Sequence, residues 1–158
     1  MLTTILTILL AASTAFPSSS RTAWMRPESF RLTIGMSRAD AVRVLADGGW
    51  QLKQGKNADE MVVDYTAERA LTLDFQKERL KSIRFELFTF LPDVRKAFVE
   101  EKLYLAAALG EAKKGTKSVL IYDDRLPNVI VAVSDDPKSE NGRKGVGFLA
   151  VRYFDPRE

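Results

Sequence analysis

A chain of 158 residues with 46% hydrophobic and 28% charged side chains can bury one proper core and is too apolar to default to disorder. Its 24 basic and 21 acidic residues leave a net charge of +3. The densest basic runs, 77–84 (KERLKSIR) and 113–117 (KKGTK), lack interleaved stacking aromatics, which argues against a nucleic-acid partner. With no histidine and no cysteine, the chain cannot assemble a Ser-His-Asp or Cys-His nucleophile, a zinc site with nitrogen or sulfur ligands, or a disulfide.

Residues 2–12 (LTTILTILLAA) form an apolar run of about 11 residues, the length of a signal-peptide core and too short to span a bilayer. Ser13, Thr14 and Ala15 place small residues where a signal peptidase reads, so 1–15 is read as a signal peptide and Phe16 as the first mature residue. No Lys or Arg precedes the run, leaving the amino terminus as its only leading positive charge. The expectation is a periplasmic or secreted protein with no transmembrane span. Lacking a cysteine for lipid attachment, it is expected to be unanchored.

Residues 16–28 (FPSSSRTAWMRPE) read as an extended arm whose Phe16, Trp24 and Met25 must lie on something. In 29–34, Phe30, Leu32 and Ile34 alternate with Arg31 and Thr33, which predicts a short strand. Ser37 then stands at a helix N-cap with Asp40 in the first turn. Ala41, Val42, Val44 and Leu45 supply an apolar side, and Gly48-Gly49 ends the helix.

Three strands follow, 60–65, 70–75 and 80–88, joined by turns short enough for an antiparallel meander. Leu71, Leu73, Phe75, Ile83, Phe85 and Leu87 mark its dry side; Thr72, Asp74, Arg84 and Glu86 mark the wet one. Pro92 and Asp93 open a second helix that Gly110 closes, and strands at 117–122, 128–133 and 145–154 come after it. The fold class is therefore α+β: an antiparallel sheet covered by helices, with two α-βββ units in pseudo-tandem. A single domain, 29–158, is made of halves 29–89 and 90–158.

The second half differs from the first in being apolar on both sides of each strand. Leu120, Tyr122, Ile130, Leu149, Val151 and Tyr153 are expected to share one sheet face, alternating with Val119, Ile121, Val129, Val131, Phe148 and Ala150. The plain explanation is burial on both sides by helices or the arm. The functional one makes the first set a protein-binding surface, since Tyr122 and Tyr153 each offer an apolar ring with a polar tip.

Residues 30–45 (FRLTIGMSRADAVRVL) resemble the beta-lactamase-inhibitor-protein-like fold, whose architecture is shared by the SmpA/OmlA-type lipoproteins of outer-membrane assembly. Phe30, Gly35, Met36, Ser37 and Arg38 match the opening of that unit. The family's strongly apolar helix position falls here on Ala41, and the second half opens instead with Leu91-Pro92-Asp93. The lipid-anchor cysteine and the inhibitor's disulfides are absent. The resemblance implies the fold and a protein-binding role.

Among remaining chemistries, a Ser-Lys pair finds every lysine in a charged, solvated context. The glycines of 141–147 (NGRKGVG) precede a strand rather than a helix. Asp123-Asp124 and Asp135-Asp136 lie in turns and could serve a cation or glycoside hydrolysis, but read first as turn formers. Loop 134–144 is a candidate contact loop. No catalytic residue, metal ligand or cofactor is assigned. The leading expectation is an exported, non-enzymatic module that binds or inhibits a protein partner, or self-associates, through a sheet face and loops. The alternatives are an unanchored envelope assembly or scaffold protein and, third, a carboxylate-based hydrolase.

Overall fold

The computed structural model describes residues 20–123, 126–134 and 145–157, except the side chains of Asp64 and Tyr65. The signal-peptide reading, Phe16, Asp124, most of the loop 134–144 and Asp135-Asp136 lie outside the described residues.

The chain forms an eight-stranded sheet in which every pairing is antiparallel. After helix α1 (Arg38–Asp47) come β1 (Leu52–Gln54), β2 (Glu60–Thr66), β3 (Arg69–Gln76) and β4 (Arg79–Phe90). After helix α2 (Leu91–Leu109) come β5 (Lys114–Gly115), β6 (Val119–Tyr122), β7 (Asn128–Ser134) and β8 (Val146–Phe154). The spatial order is β1-β2-β3-β4-β8-β7-β6-β5, so the two meanders meet at β4–β8. Among the described residues, no helix is long and apolar enough to cross a membrane. Two edge pieces, β1 and β5, carry no alternation of their own and were not expected from sequence.

The opening of α1 forms for the reasons the sequence suggests. The Ser37 hydroxyl accepts from the Asp40 amide at 3.1 Å and donates to the Asp40 carboxylate at 2.7 Å, satisfying a free amide of the first turn. Gly49, at φ +81°, closes the helix, with the amides of Gly49 and Trp50 donating back to Ala46 and Leu45. Ala41 and Leu45 are buried. Gly35, at φ +92°, turns the chain so that its amide donates to Leu80 while Leu80 donates to Met36. These bonds tie the start of α1 to β4.

The strand expected at 29–34 is not one. Pro27–Phe30 is a 3-10 turn, and Arg31 sits in the left-handed region at φ 56°. The amides of Arg31 and Leu32 donate to Glu28 and Pro27, so no ladder forms. Phe30 and Leu32 are nonetheless buried, which is what the alternation recorded.

In α2, Val94, Ala97, Phe98, Glu101 and Leu105 are the buried stripe, at the 3-4 spacing of a helix face. In β4, a bulge at Lys81 lets Leu80 and Ile83 both point inward, since Phe75 opposes Leu80 while Asp74 opposes Ser82. One core cluster runs through both halves, from Leu45 to Leu105 and from Leu71 to Val151.

Replacing Ser37 with alanine removes the side-chain cap and is expected to lower stability by about 1 kcal/mol. Urea denaturation checks it: an unchanged midpoint would mean that the Asp40 amide is satisfied otherwise.

Candidate functional site: the helix-free face of the sheet

Cross-strand register sorts the second-half side chains into two faces. Leu120 pairs with Val131 and Tyr122 with Val129, while Val131 pairs with Val151 and Val129 with Tyr153. All of these are buried. A Cβ placed on Gly147, on the same face, would meet Val94 and Leu91 of α2. The arm covers this face too: Trp24 stands edge-on to Phe85 at 5.7 Å, and the Tyr153 hydroxyl donates to the Met25 carbonyl at 3.4 Å. Phe30, between Trp50 and Phe85, seats the lead-in to α1 there as well.

Of the residues expected to form one surface, Leu120, Tyr122, Leu149, Val151 and Tyr153 do share a face. It is the face under α2 and the arm, and all five are core. Ile130 stands on the other face, opposite Ile121 and Arg152. The grouping divides because β7 enters the ladder with Asn128 opposite Phe154, which turns its odd-numbered positions inward. Sequence alternation alone leaves that phase open when both sides are apolar.

Both helices and the arm therefore lie on one side, and no helix or arm segment among the described residues packs on the other. There, Val119, Ile121, Ile130, Ala132, Phe148 and Ala150 are half-buried, flanked by Phe88 and Phe154. Phe88 and Phe148, directly opposite across β4–β8, stack at 6.0 Å with 25° between ring planes. Further along the same strands the face becomes polar, with Arg84 opposite Arg152 and Ser82 opposite Phe154. The Ser82 hydroxyl donates to the Asp74 carboxylate at 2.6 Å and accepts from Arg152 Nε at 3.2 Å. Arg84 lies 3.7 Å from Glu86. Arg84 is expected on the wet side and Arg152 is not singled out in the sequence; only pairing brings them together.

A second apolar surface lies on the outer side of α2, where Val99 and Leu103 are exposed. Between the arm, the end of α2 and β7, a cavity of about 380 Å³ is walled by Pro27, Leu32, Ile34, Leu109, Pro127 and Val129, with Tyr153 and the carboxylate-bearing Glu28 alongside. Asp123 is exposed and lies 3.5 Å from Lys114.

The arm is clamped by two adjacent glutamates of α2. Burial opposes the charge on Glu100, but bonds from the Ser20 and Thr22 hydroxyls and the Arg21 and Thr22 amides hold its carboxyl below the ordinary value. Glu101 is fully buried and receives Arg26 Nη1 at 2.9 Å. Burial pushes its carboxyl up, and Arg26 pulls against that shift. The Arg26 guanidinium also lies 3.4 Å from the centre of the Tyr104 ring. Burial likewise raises the Tyr153 phenol, helped by the nearby Glu101 charge. Glu101 falls on the buried stripe of α2, so a charge at a core position was the signal available in the sequence.

Arg26→Met is expected to leave Glu101 buried and uncompensated, costing about 3–5 kcal/mol near neutral pH. Because the folded carboxyl then holds its proton more tightly than the unfolded one, stability falls as pH rises through that window. The deficit should shrink from roughly pH 7.5 to roughly pH 5, as read by urea denaturation at both. A deficit independent of pH would show that Glu101 is not what Arg26 compensates.

No family model matches the chain, nor does any curated protein or solved structure, so the functional reading rests on the geometry of the two faces.

Proposed function

We propose that the chain is an exported, non-enzymatic module that binds a protein partner across the helix-free face of its sheet. The observation that carries this reading is the apolar strip on that face: Phe88 stacked on Phe148, continued by Ala150, Ala132, Ile130, Ile121 and Val119. The solvated side of an antiparallel sheet ordinarily alternates to polar residues, and β3 does carry Thr72 and Asp74 on that face, although its neighbours bury Thr72, which the sequence pattern puts on the wet side. A contiguous apolar area there costs free energy in water and gains it when covered. Rigid aromatic side chains on paired strands enter an interface already ordered, so little conformational entropy is lost on docking.

Two other lines support the reading. A helix precedes each set of four strands, and the sheet order runs symmetrically outward from β4–β8, which favours two helix-plus-meander units. That arrangement, with Gly35, Met36 and Ser37 at the start of α1, agrees with the beta-lactamase-inhibitor-protein-like resemblance and its protein-binding role. The apolar run at 2–12 followed by Ser13, Thr14 and Ala15 favours action in the periplasm or outside the cell.

A photo-crosslinking residue at position 148 is expected to capture one discrete partner in the native cell envelope or medium, or a second copy of the chain. The same residue at position 99, on the outer side of α2, should capture none. Capture from 99 and not from 148 would move the surface to the helix side. Phe148→Asp is expected to abolish association and keep the circular-dichroism spectrum and a cooperative melt. Tyr153→Asp places a carboxylate in the core and should unfold the chain. A folded Tyr153→Asp protein that has lost its partner would restore the buried set as the surface.

A further inference from the structure

We infer that the partner segment received by the helix-free face is acidic as well as apolar, a stretch of polypeptide whose carboxylates engage Arg84 and Arg152 while its aliphatic or aromatic side chains cover Phe88 and Phe148. This rests on the protein-binding reading above and names the partner's chemistry.

The two arginines are directly opposite each other in the β4–β8 register. Like charges in that position repel, so the pair is a cost to the sheet on its own. Little in the fold offsets it. Arg152 gives its Nε to the Ser82 hydroxyl and lies 5.2 Å from the Phe154 ring, and forms no ion pair with a carboxylate among the described residues. Arg84 meets Glu86 only at 3.7 Å, beyond hydrogen-bond length, and its Nε is buried without a hydrogen-bond partner. Asp74 is the other nearby acid, and it is occupied by the Ser82 hydroxyl. A guanidinium carries five N–H donors in a planar fork that matches a carboxylate, and most of those on this pair are unspent.

The strip and the arginines also have a fixed spacing. Going along β4 and β8 from the arginine pair, the next same-face pair is Glu86 with Ala150, and the one after it is Phe88 with Phe148. At the strand rise this sets the backbone positions of the arginine pair about 13 Å from those of the phenylalanine pair. A partner segment must therefore present a carboxylate and an apolar side chain about 13 Å apart, which an extended stretch achieves with about three residues between them. An apolar partner lacking acids would desolvate both guanidiniums without a carboxylate to receive their free donors, and a basic one would meet two facing positive charges. The rows of charge select as well as attract.

The test is a displayed library of random dodecapeptides selected on the full chain, with selected peptides measured by fluorescence anisotropy. The expected result is enrichment of sequences pairing Asp or Glu with Leu, Ile, Val or aromatic residues. These should bind the wild-type chain roughly tenfold or more tightly than the Arg84→Gln/Arg152→Gln double variant, with affinity falling as salt is raised. Arg84→Lys/Arg152→Lys, which keeps the charge and loses the fork, should fall between them. Melting curves of each variant establish that it is folded. Selected peptides that are apolar with no acidic bias, bind the double variant unchanged and are lost on Phe148→Asp would overturn the acidic assignment and leave the protein-binding face standing. Peptides indifferent to both the arginine variant and Phe148→Asp, or no enrichment at all, would overturn both. Vesicles of one part phosphatidylglycerol to three parts phosphatidylcholine are the control for anionic lipid. Arginine-dependent binding to them with no acidic peptide selected would assign the pair to a membrane surface and overturn the proposal.

Discussion

The antiparallel pairing of β4 with β8 is the interaction on which the rest of the molecule depends. Each meander by itself is a narrow ribbon, too small to exclude water from a core. Joined from Ser82 opposite Phe154 to Phe90 opposite Val146, they make one surface broad enough to take α2 and the arm together. The same pairing brings Ile83, Phe85 and Leu87 beneath Tyr153, Val151 and Leu149, and so commits every odd-numbered position of β8 to the core. All that stands on the opposite face follows from that commitment, including the stacked phenylalanines and the facing arginines.

The covering layer is lopsided for a related reason. Residues 35–38 are bonded to the start of β4, which brings α1 down on one side. Leu91 follows Phe90 with no intervening loop, so α2 folds back from the end of that same strand. Arm residues 20–30 fill the space between, held by Glu100 and by the Arg26–Glu101 pair. A buried ion pair stabilises little against an apolar alternative but strongly penalises wrong seating, since an unmatched Glu101 or Arg26 would remain in the core. That specificity fits a segment that must settle in a single position over Tyr153 and Phe85. With both helices and arm residues 20–30 on one side, the other side carries no helix or arm segment among the described residues.

Much of this is legible in the chain itself. The cap at Ser37, the glycine stop at 48–49, the Pro92 start and Gly110 end of α2, and the six longer strands follow from short-range chemistry, in which a residue's neighbours along the chain decide its conformation. The edge pieces β1 and β5 were not legible, because Leu52–Gln54 and Lys114–Gly115 are strands only through the partner they pair with. The segment 29–34 misled for the opposite reason: its alternation recorded burial at Phe30 and Leu32, while its amides bond locally and form no ladder.

The amino-acid sequence by itself determined the α+β class, the element order, the unusual apolarity of the second half and the want of histidine and cysteine chemistry. Each is a property of composition or of periodicity within one element. Only the tertiary structure decided which apolar face is core. In β6, β7 and β8 both sides of the strand are apolar, so alternation carries no sign, and the side is set by register against β4 and by where α2 and the arm land. That is why Leu120, Tyr122, Leu149, Val151 and Tyr153 are interior while Ile130 and Phe148 face out. It is also why Arg84 and Arg152, far apart along the chain, become a facing pair: cross-strand neighbours are made by pairing, and nothing local to either residue encodes the other.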